Sequence, residues 1–238
     1  MRVSKTPEEG SIPSTPAKMP QQSENVVVFV LKGVHMVERI VGDINKSNVF
    51  VVGNDESCFI VDAGANLDAV KKVVGQRKVC AILLTHAHYD HFFYVMDYLK
   101  EFGCQAFCSE NAKEYFLDEK KSYAPNGLIL DDYSNFVFLS GNGKIEFGDF
   151  CVDYFSVGGH TKSDTLFQFE KDLFVGDVLI GRDMGRIDLY GGDKSEMVKT
   201  FENLLELNYE VMHSGHGDDN KKSQQDIVIK TWMRFLKR

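Results

Sequence analysis

The stretch Thr85-His86-Ala87-His88-Tyr89-Asp90-His91 has the pattern H-x-H-x-D-H and follows the apolar run 79–84. It gathers four potential metal ligands within six residues. Imidazole and carboxylate groups are the ligands of hydrolytic zinc, iron and manganese sites. Histidines that served only as ordinary polar residues would be scattered along the chain. This cluster therefore predicts a metal site.

Three more candidate ligands lie further along the chain. A single tetrahedral catalytic metal takes three protein ligands and a water, whereas this chain offers seven side chains. Seven ligands divide into two groups of three and one shared carboxylate, so we expect a two-metal site, in which a bound water has its pKa lowered to about 7. Such a site needs no serine or cysteine nucleophile. The candidate metal ligands are His86, His88, Asp90, His91, His160, Asp177 and His216.

The order of these motifs resembles the metallo-β-lactamase fold superfamily. Its signatures here are H-x-H-x-D-H at 86–91, Gly159-His160-Thr161, Val175-Gly176-Asp177 and Ser214-Gly215-His216-Gly217. The segment Gly185-Arg186-Ile187-Asp188-Leu189, followed by Gly191-Gly192-Asp193, is similar to a stretch of glyoxalase II-like hydrolases and persulfide dioxygenases. The resemblance implies an α/β fold, an αββα sandwich in a single hydrolase domain that we place at residues 25–238.

The resemblance also implies roles for the candidate ligands. His86, His88 and His160 would hold one metal ion, and Asp90, His91 and His216 would hold the second. Asp177 would bridge the two ions, and Asp90 would act as the catalytic residue that orients the attacking hydroxide. Two divalent ions are expected. Zinc is the expected metal, with iron or manganese as alternatives because histidine and aspartate accept all three.

Three other polar residues near these motifs have more than one interpretation. His213 is interpreted as a residue that does not bind metal, lying beside the ligands or on the surface. Asp62 either orients a ligand or only forms a turn. Arg186 either pairs with Asp188, which we favour, or faces an anionic substrate.

The function implied is hydrolysis of a small-molecule thioester such as S-D-lactoylglutathione by a metal-bound hydroxide. One alternative is a persulfide dioxygenase, in which His86, His160 and Asp177 would hold a single iron. A lactonase on the same metals is another. Lys162-Ser163-Asp164 stands where the family usually has Pro and Gly, and only 22 residues follow His216. Glutathione recognition is therefore the open part of the interpretation.

Composition limits the possible partners. The chain has 238 residues, of which 43% are hydrophobic and 26% charged, and its net charge is −8. The acidic charge disfavours a nucleic-acid partner, because phosphate binding draws on clustered Lys and Arg. The sequence has no apolar run of the roughly 18 residues that a membrane helix needs, so no membrane partner is expected.

Five cysteines without a disulfide framework favour a reducing compartment, and we expect a cytoplasmic protein. The oligomeric state stays open.

Short apolar runs separated by turn-forming residues organise the rest of the chain. Residues 1–24 are rich in Pro, Ser and Thr and predict a disordered tail. Each ligand motif follows an apolar run, so we expect the ligands to meet at one edge of a sandwich. The predicted strands are 26–30, 49–52, 58–61, 79–84, 150–155, 165–169 and 173–175, and a further run at 209–212 precedes the last ligand. The predicted helices are 67–74, 90–99 and 196–207, with Asp193 as an N-cap.

Overall fold

Two β-sheets lie face to face at the centre of the computed structural model, which describes residues 26–30, 35–125 and 127–238. Helices cover both outer faces of this pair. The predicted αββα sandwich, built as a single domain, is confirmed. The disordered tail predicted for residues 1–24 lies outside the described residues.

The first sheet has seven strands in chain order. The first four strands pair antiparallel with their neighbours. From the fourth strand to the seventh, neighbouring strands run parallel. The strands are β1 (Val26–Val30), β2 (Met36–Val41), β3 (Asn48–Gly53), β4 (Ser57–Val61), β5 (Lys78–Leu83), β6 (Gln105–Ser109) and β7 (Phe136–Leu139).

The second sheet has six strands, and a separate two-stranded hairpin lies between its fourth and fifth strands in chain order. The strands of this sheet are β8 (Asn142–Phe147), β9 (Phe150–Ser156), β10 (Thr165–Phe169), β11 (Asp172–Gly176), β14 (Val211–Ser214) and β15 (Asn220–Lys221). Their order is β15-β14-β11-β10-β9-β8, and β11 and β14 run parallel. The hairpin consists of β12 (Leu179–Ile180) and β13 (Asp183–Met184).

The helices fall into an outer layer on each sheet. The first layer, over the first sheet, includes α1 (Leu67–Val74), α2 (Tyr89–Phe92), α3 (Val95–Phe102) and α4 (Lys113–Phe116), with α5 (Glu119–Ser122) following α4. A 3-10 turn (Glu110–Ala112) precedes α4. The second layer, over the second sheet, is α6 (Lys194–Glu206) and α7 (Lys222–Leu236). None of the helices in the described residues has the length and apolar character needed to cross a membrane.

Alternation along the strands explains the layers. In β3, Val49 and Val51 pack against the first helical layer, while Phe50 and Val52 pack into the core between the sheets. Successive side chains of a strand point to opposite faces, so a strand covered on both faces is apolar throughout. This continuous apolar pattern made the central strands predictable.

The predicted single helix over 90–99 is wrong in one respect. The chain forms α2 and α3 with a break at Phe93 and Tyr94. The carbonyl of Asp90 accepts the hydroxyl of Ser47 at 2.7 Å, and the carbonyl of His91 accepts the N–H of Ala63 at 2.7 Å. Ser47 and Ala63 thus occupy these two carbonyls, and the N–H of Tyr94 donates to the carbonyl of Ala63. The helix is interrupted where the metal-ligand stretch is anchored to the first sheet.

Other predicted elements match the structure closely. Helix α1 has the predicted bounds, and the predicted strands 165–169 and 173–175 correspond to β10 and β11, which form an antiparallel hairpin. Asp193 caps α6 by accepting the N–H groups of Ser195 and Glu196. The sequence analysis did not predict β2, β6, β7, β8 or α7.

Candidate metal centre

The seven candidate ligands lie at one edge of the sandwich, on loops that follow strands. Residues 85–88 follow β5 of the first sheet and lead into α2, whose first turn carries Asp90 and His91. The other three ligands belong to the second sheet. His160 lies between β9 and β10, Asp177 follows β11, and His216 follows β14. Because β11 and β14 are parallel, their carboxyl ends are neighbours and bring Asp177 and His216 together.

The ligand atoms of these residues form three overlapping groups. Within each group the atoms lie within 4.8 Å of one another, close enough to hold a metal ion. Two groups coincide with the two triads implied by the resemblance. The third joins Asp177 to one histidine of each triad, which suits a bridging position. The groups are His86, His88 and His160; His86, His91 and Asp177; and Asp90, His91 and His216.

Four buried polar atoms at this place have no hydrogen-bond partner among the described residues. They are Nε2 of His86, His88 and His91, and Oδ1 of Asp177. A buried polar group without a partner costs free energy, so such groups are rare in folded proteins. Lone pairs of three imidazoles and a carboxylate gathered at one edge of the sandwich suit metal cations. The donor set therefore fits the metal that it is expected to hold.

Asp177 lies at the centre of the second triad and next to the first. Its Oδ1 is 3.5 Å from Nε2 of His91, and its Oδ2 is 3.5 Å from Nε2 of His216 and 3.8 Å from Nε2 of His160. Gly215 packs directly against it, since a Cβ at that position would lie 2.3 Å from Asp177 Oδ1. Asp177 can therefore contact metal ions on both sides.

Burial favours the neutral imidazole of two members of the first triad, His86 and His88. Burial, and then the nearby His91, lowers the pKa of His86 well below its usual value. Burial and the neighbouring His160 lower the pKa of His88 to about 3. Metal ligation requires the neutral form of histidine, so this environment prepares both residues for it.

In the second triad, neighbouring carboxylates raise the pKa values of the histidines. Burial alone would lower the pKa of His91, but Asp62 and Asp177 raise it to about 9. For His216, hydrogen bonds to Asp177 and Asp90 outweigh burial and raise the pKa to about 10. Burial alone would raise the pKa of Asp177, but the adjacent His91 and His216 hold it well below its usual value. A metal ion would take the place of these protons between imidazole and carboxylate.

Asp62 fixes the orientation of His91. Its Oδ2 accepts Nδ1 of His91 at 2.8 Å, and its oxygens also accept the backbone N–H and hydroxyl of Thr85. The residue has a left-handed backbone, with φ of 62°, a conformation that Asp adopts more readily than most residues. Of the two interpretations left open by the sequence, the structure favours ligand orientation.

We expect Asp62→Asn to weaken metal binding or turnover by about 10- to 100-fold, the usual cost of losing a partner that orients a ligand. The amide would place an N–H₂ group where Thr85 and His91 need an acceptor. Metal affinity and kcat would be measured against Asp43→Asn, a control in which an exposed aspartate outside the ligand groups is changed. Equal effects in both variants would show that Asp62 does not position His91.

The segment Lys162-Ser163-Asp164, where the chain departs from the family pattern, builds the turn that holds His160. The carboxylate of Asp164 accepts the backbone N–H groups of His160 and Thr161 at 3.0 and 2.9 Å. The hydroxyl of Ser163 accepts the N–H of Ala87 at 3.1 Å, which ties this turn to the other ligand stretch. The departure therefore leaves His160 firmly placed.

His213 lies outside the ligand groups and is fully buried, so its alternative placement on the surface is wrong. Its two ring nitrogens contact Asp172 at 2.7 Å and Asp219 at 2.9 Å. Arg39 approaches Asp219 at 3.8 Å and donates to the carbonyl of Gly217 at 2.6 Å. This buried network supports the loop that carries His216.

A cavity of about 570 Å³ opens onto the ligands. Arg186 lines it and makes the favoured ion pair with Asp188, with contacts of 3.0 and 2.7 Å. The sequence analysis did not assign the other lining residues to the site. Tyr89 and Leu189 lie inside motifs that it quoted, whereas no motif marks Asn45, Tyr123 or Ile180. The lining residues outside the ligand set are Asn45, Tyr89, Tyr123, Ile180, Arg186 and Leu189.

Residues 42–216 match the family described as the Metallo-beta-lactamase superfamily. The chain belongs to this superfamily. Among its curated relatives, the Bacillus subtilis protein named Probable metallo-hydrolase YqgX is 26% identical over 182 residues, covering 73% of this chain and 86% of the relative. Hydroxyacylglutathione hydrolase GloC of Haemophilus influenzae is 27% identical over 183 residues, covering 72% and 86%.

Solved structures of the superfamily have the same fold. The BLEG-1 B3 metallo-beta-lactamase superposes with a TM-score of 0.74 at 26% identity, covering 80% of this chain and 96% of that one. TTHA1623 in a di-iron-bound form gives a TM-score of 0.65 at 23% identity, covering 76% and 92%. The family match, these relatives and the His and Asp groups together support a metallo-hydrolase.

Proposed function

We propose that this member of the superfamily hydrolyses a thioester such as S-D-lactoylglutathione with the help of two divalent metal ions, zinc being the expected metal. The observation that carries the proposal is the pair of complete ligand triads around Asp177, at the base of a cavity. The similarity to a relative named hydroxyacylglutathione hydrolase supports the choice of substrate.

The chain's own residues would divide the work. His86, His88 and His160 would hold one ion, and Asp90, His91 and His216 the other, with Asp177 between them. Bound there, the ions would supply a water of lowered pKa and polarise the substrate carbonyl. Buried Asp62 and Asp164 keep His91 and His160 in place, so the ligand set is arranged before substrate arrives.

Asp90 is the residue proposed to orient the attacking water. Its Oδ2 lies 3.4 Å from Nε2 of His216 and 3.9 Å from Nε2 of His91, and the residue also lines the cavity. A carboxylate there can accept a hydrogen bond from water and aim its oxygen at the acyl carbon. The carbon–sulfur bond then breaks, the thiol leaves with a proton from the water, and a carboxylic acid remains.

The second triad favours hydrolysis over the dioxygenase alternative. A single iron held by His86, His160 and Asp177 would leave Asp90, His91 and His216 without a metal to bind. Asp90 and His91 are buried and His216 is half-buried, and the ligand atoms of the three lie within 4.8 Å of one another. A complete second set of ligands is what a two-metal hydrolase needs.

The test is a thiol-release assay with purified protein loaded with zinc. We expect S-D-lactoylglutathione to be cleaved, with two metal ions per chain by elemental analysis. Asp90→Asn should lower kcat by about 10²- to 10⁴-fold, the contribution of a well-placed proton-accepting group. Asp97→Asn, on the exposed side of α3, is the matched control and should leave kcat unchanged.

Two results would count against this proposal. One is a single iron per chain combined with oxygen consumption on glutathione persulfide, which would favour the dioxygenase. The other is turnover of lactones with no release of thiol from any thioester, which would favour the lactonase.

A further inference from the structure

The cavity that opens onto the ligands has a largely apolar wall. Four of its lining side chains are aromatic or aliphatic and only partly covered: Tyr89, Tyr123, Ile180 and Leu189. They stand around His88, His160 and Asp177, where the scissile bond would lie. Partly exposed apolar surface in a concave site stabilises apolar ligands, because both surfaces leave water on binding.

Tyr123 is the most constrained part of this wall. It forms the C-cap of α5 with φ of 58°, a left-handed conformation that is uncommon for a bulky residue. Its hydroxyl accepts the N–H of Tyr190 at 2.9 Å, and its ring stands edge-on to His88 with the ring centres 5.4 Å apart. Residues in sparsely populated conformations persist only where their surroundings hold them. The ring is therefore fixed beside the site, with 43% of the residue exposed.

Charge around the cavity gives little support to a substrate with several carboxylates. Arg186 is the one cationic side chain among the described residues that line it, and Asp188 pairs with it through two hydrogen bonds. The nearby Lys121 and Lys162 both lie against Glu114, at 3.1 and 4.0 Å. Outside the ligand set, the surface that meets the substrate is therefore mainly apolar, and its one arginine already has a partner.

From this arrangement we propose that the substrate carries an apolar acyl chain next to the thioester carbonyl, and that Tyr123 determines this specificity. The inference rests on the proposed thioester hydrolysis and narrows its substrate class. The acyl chain packs against Tyr123 and Leu189 while the carbonyl lies at the ligands. The reaction is unchanged: water adds to the acyl carbon, the carbon–sulfur bond breaks, and a thiol and a fatty or other apolar carboxylic acid are released.

The experiment compares acetyl, butyryl and hexanoyl thioesters of N-acetylcysteamine, an uncharged thiol, on the metal-loaded full chain. We expect kcat/KM to rise about two- to fourfold for each added methylene, which corresponds to burying between half and all of that methylene in the cavity. S-D-lactoylglutathione, which is polar and charged, should be a poorer substrate than the hexanoyl thioester.

Three variants assign the effect to Tyr123. Tyr123→Asn removes the ring but tolerates the left-handed backbone, so it should lose most of the dependence on chain length while keeping its metal content. Tyr123→Phe keeps the ring and should keep the dependence. Leu117→Ala, which changes a 51% exposed residue outside the cavity, is the matched control and should also keep it.

The outcomes separate this inference from the proposed function. Thioester turnover with no dependence on chain length, or with the same dependence in Tyr123→Asn, would overturn the inference and leave thioester hydrolysis standing. No turnover on any thioester would overturn both. A rising dependence that disappears in Tyr123→Asn and survives in Leu117→Ala would support the assignment.

Discussion

Asp177→Asn should remove most of the bound metal and lower kcat by more than about 100-fold. Loss of a group that only orients a metal ligand costs at most about 100-fold, and Asp177 is expected to bind the ions directly. Asp177 lies within 3.8 Å of three candidate histidine ligands from both triads. The amide has nearly the same shape but no charge, so both metal positions would lose a ligand at once. The measurements are elemental analysis after dialysis and thioester turnover at matched protein concentration.

The control for this variant is Asp153→Asn, which changes a carboxylate on β9 of the same sheet, paired with Lys144. Asp153 lies outside the ligand groups, so its variant should keep its metal. Equal loss of metal from both variants would mean that Asp177 acts through the general stability of the sheet and does not bind the ions.

His213→Asn should lower the free energy of unfolding by about 3–5 kcal/mol, the cost of leaving a buried charge without its partner. Asp172 and Asp219 would lose the ring that lies between them, and both side chains are buried. Urea denaturation at matched metal loading measures the change. A loss of unfolding free energy below about 1 kcal/mol would contradict the prediction, because that is the contribution of an exposed ion pair.

The pH dependence of this effect has a definite sign. Burial alone would lower the pKa of His213, but hydrogen bonds to Asp172 and Asp219 raise it above the ordinary 6.5. A raised pKa means that the folded state holds the proton more tightly than the unfolded state. The protonated ring contributes its full stabilisation below pH 6.5, the ordinary pKa of histidine. This stabilisation is lost as the pH rises through the pKa of His213 in the folded state. Stability of the wild type should fall over that range relative to the variant, and an identical pH profile in both would contradict the assignment.

The convergence of the candidate ligands was predictable because each motif follows an apolar run of the length of a strand. Strand ends fix where the next residues lie, so His86 and Asp177 could be assigned before their distance was known. The split between α2 and α3 could not be predicted. It depends on Ser47 and Ala63, which are distant in sequence and bond to the carbonyls of the ligand stretch.

The missed elements have different causes. Strand β2 carries Glu38 and Arg39 between its apolar residues, and these charges hide the strand pattern. Their burial depends on ion pairs with Arg77 and Asp218, which come from other parts of the chain. Tyr123 could not be predicted to line the cavity, because its position follows from the α5 cap and the bond to Tyr190. Local patterns identify elements, whereas these features arise from contacts between elements.

The division of the ligands between the two sheets gives metal a mechanical role. Four of the seven candidates follow β5 in the first sheet, and three belong to loops of the second. An ion bound across them would fasten one half of the sandwich to the other, much as a cross-link does. Binding only to the folded state raises its stability by mass action. The survival of the chain against proteases would then follow the supply of metal, and limited proteolysis with and without a chelator measures that dependence. A cell short of metal would lose the protein itself as well as its activity.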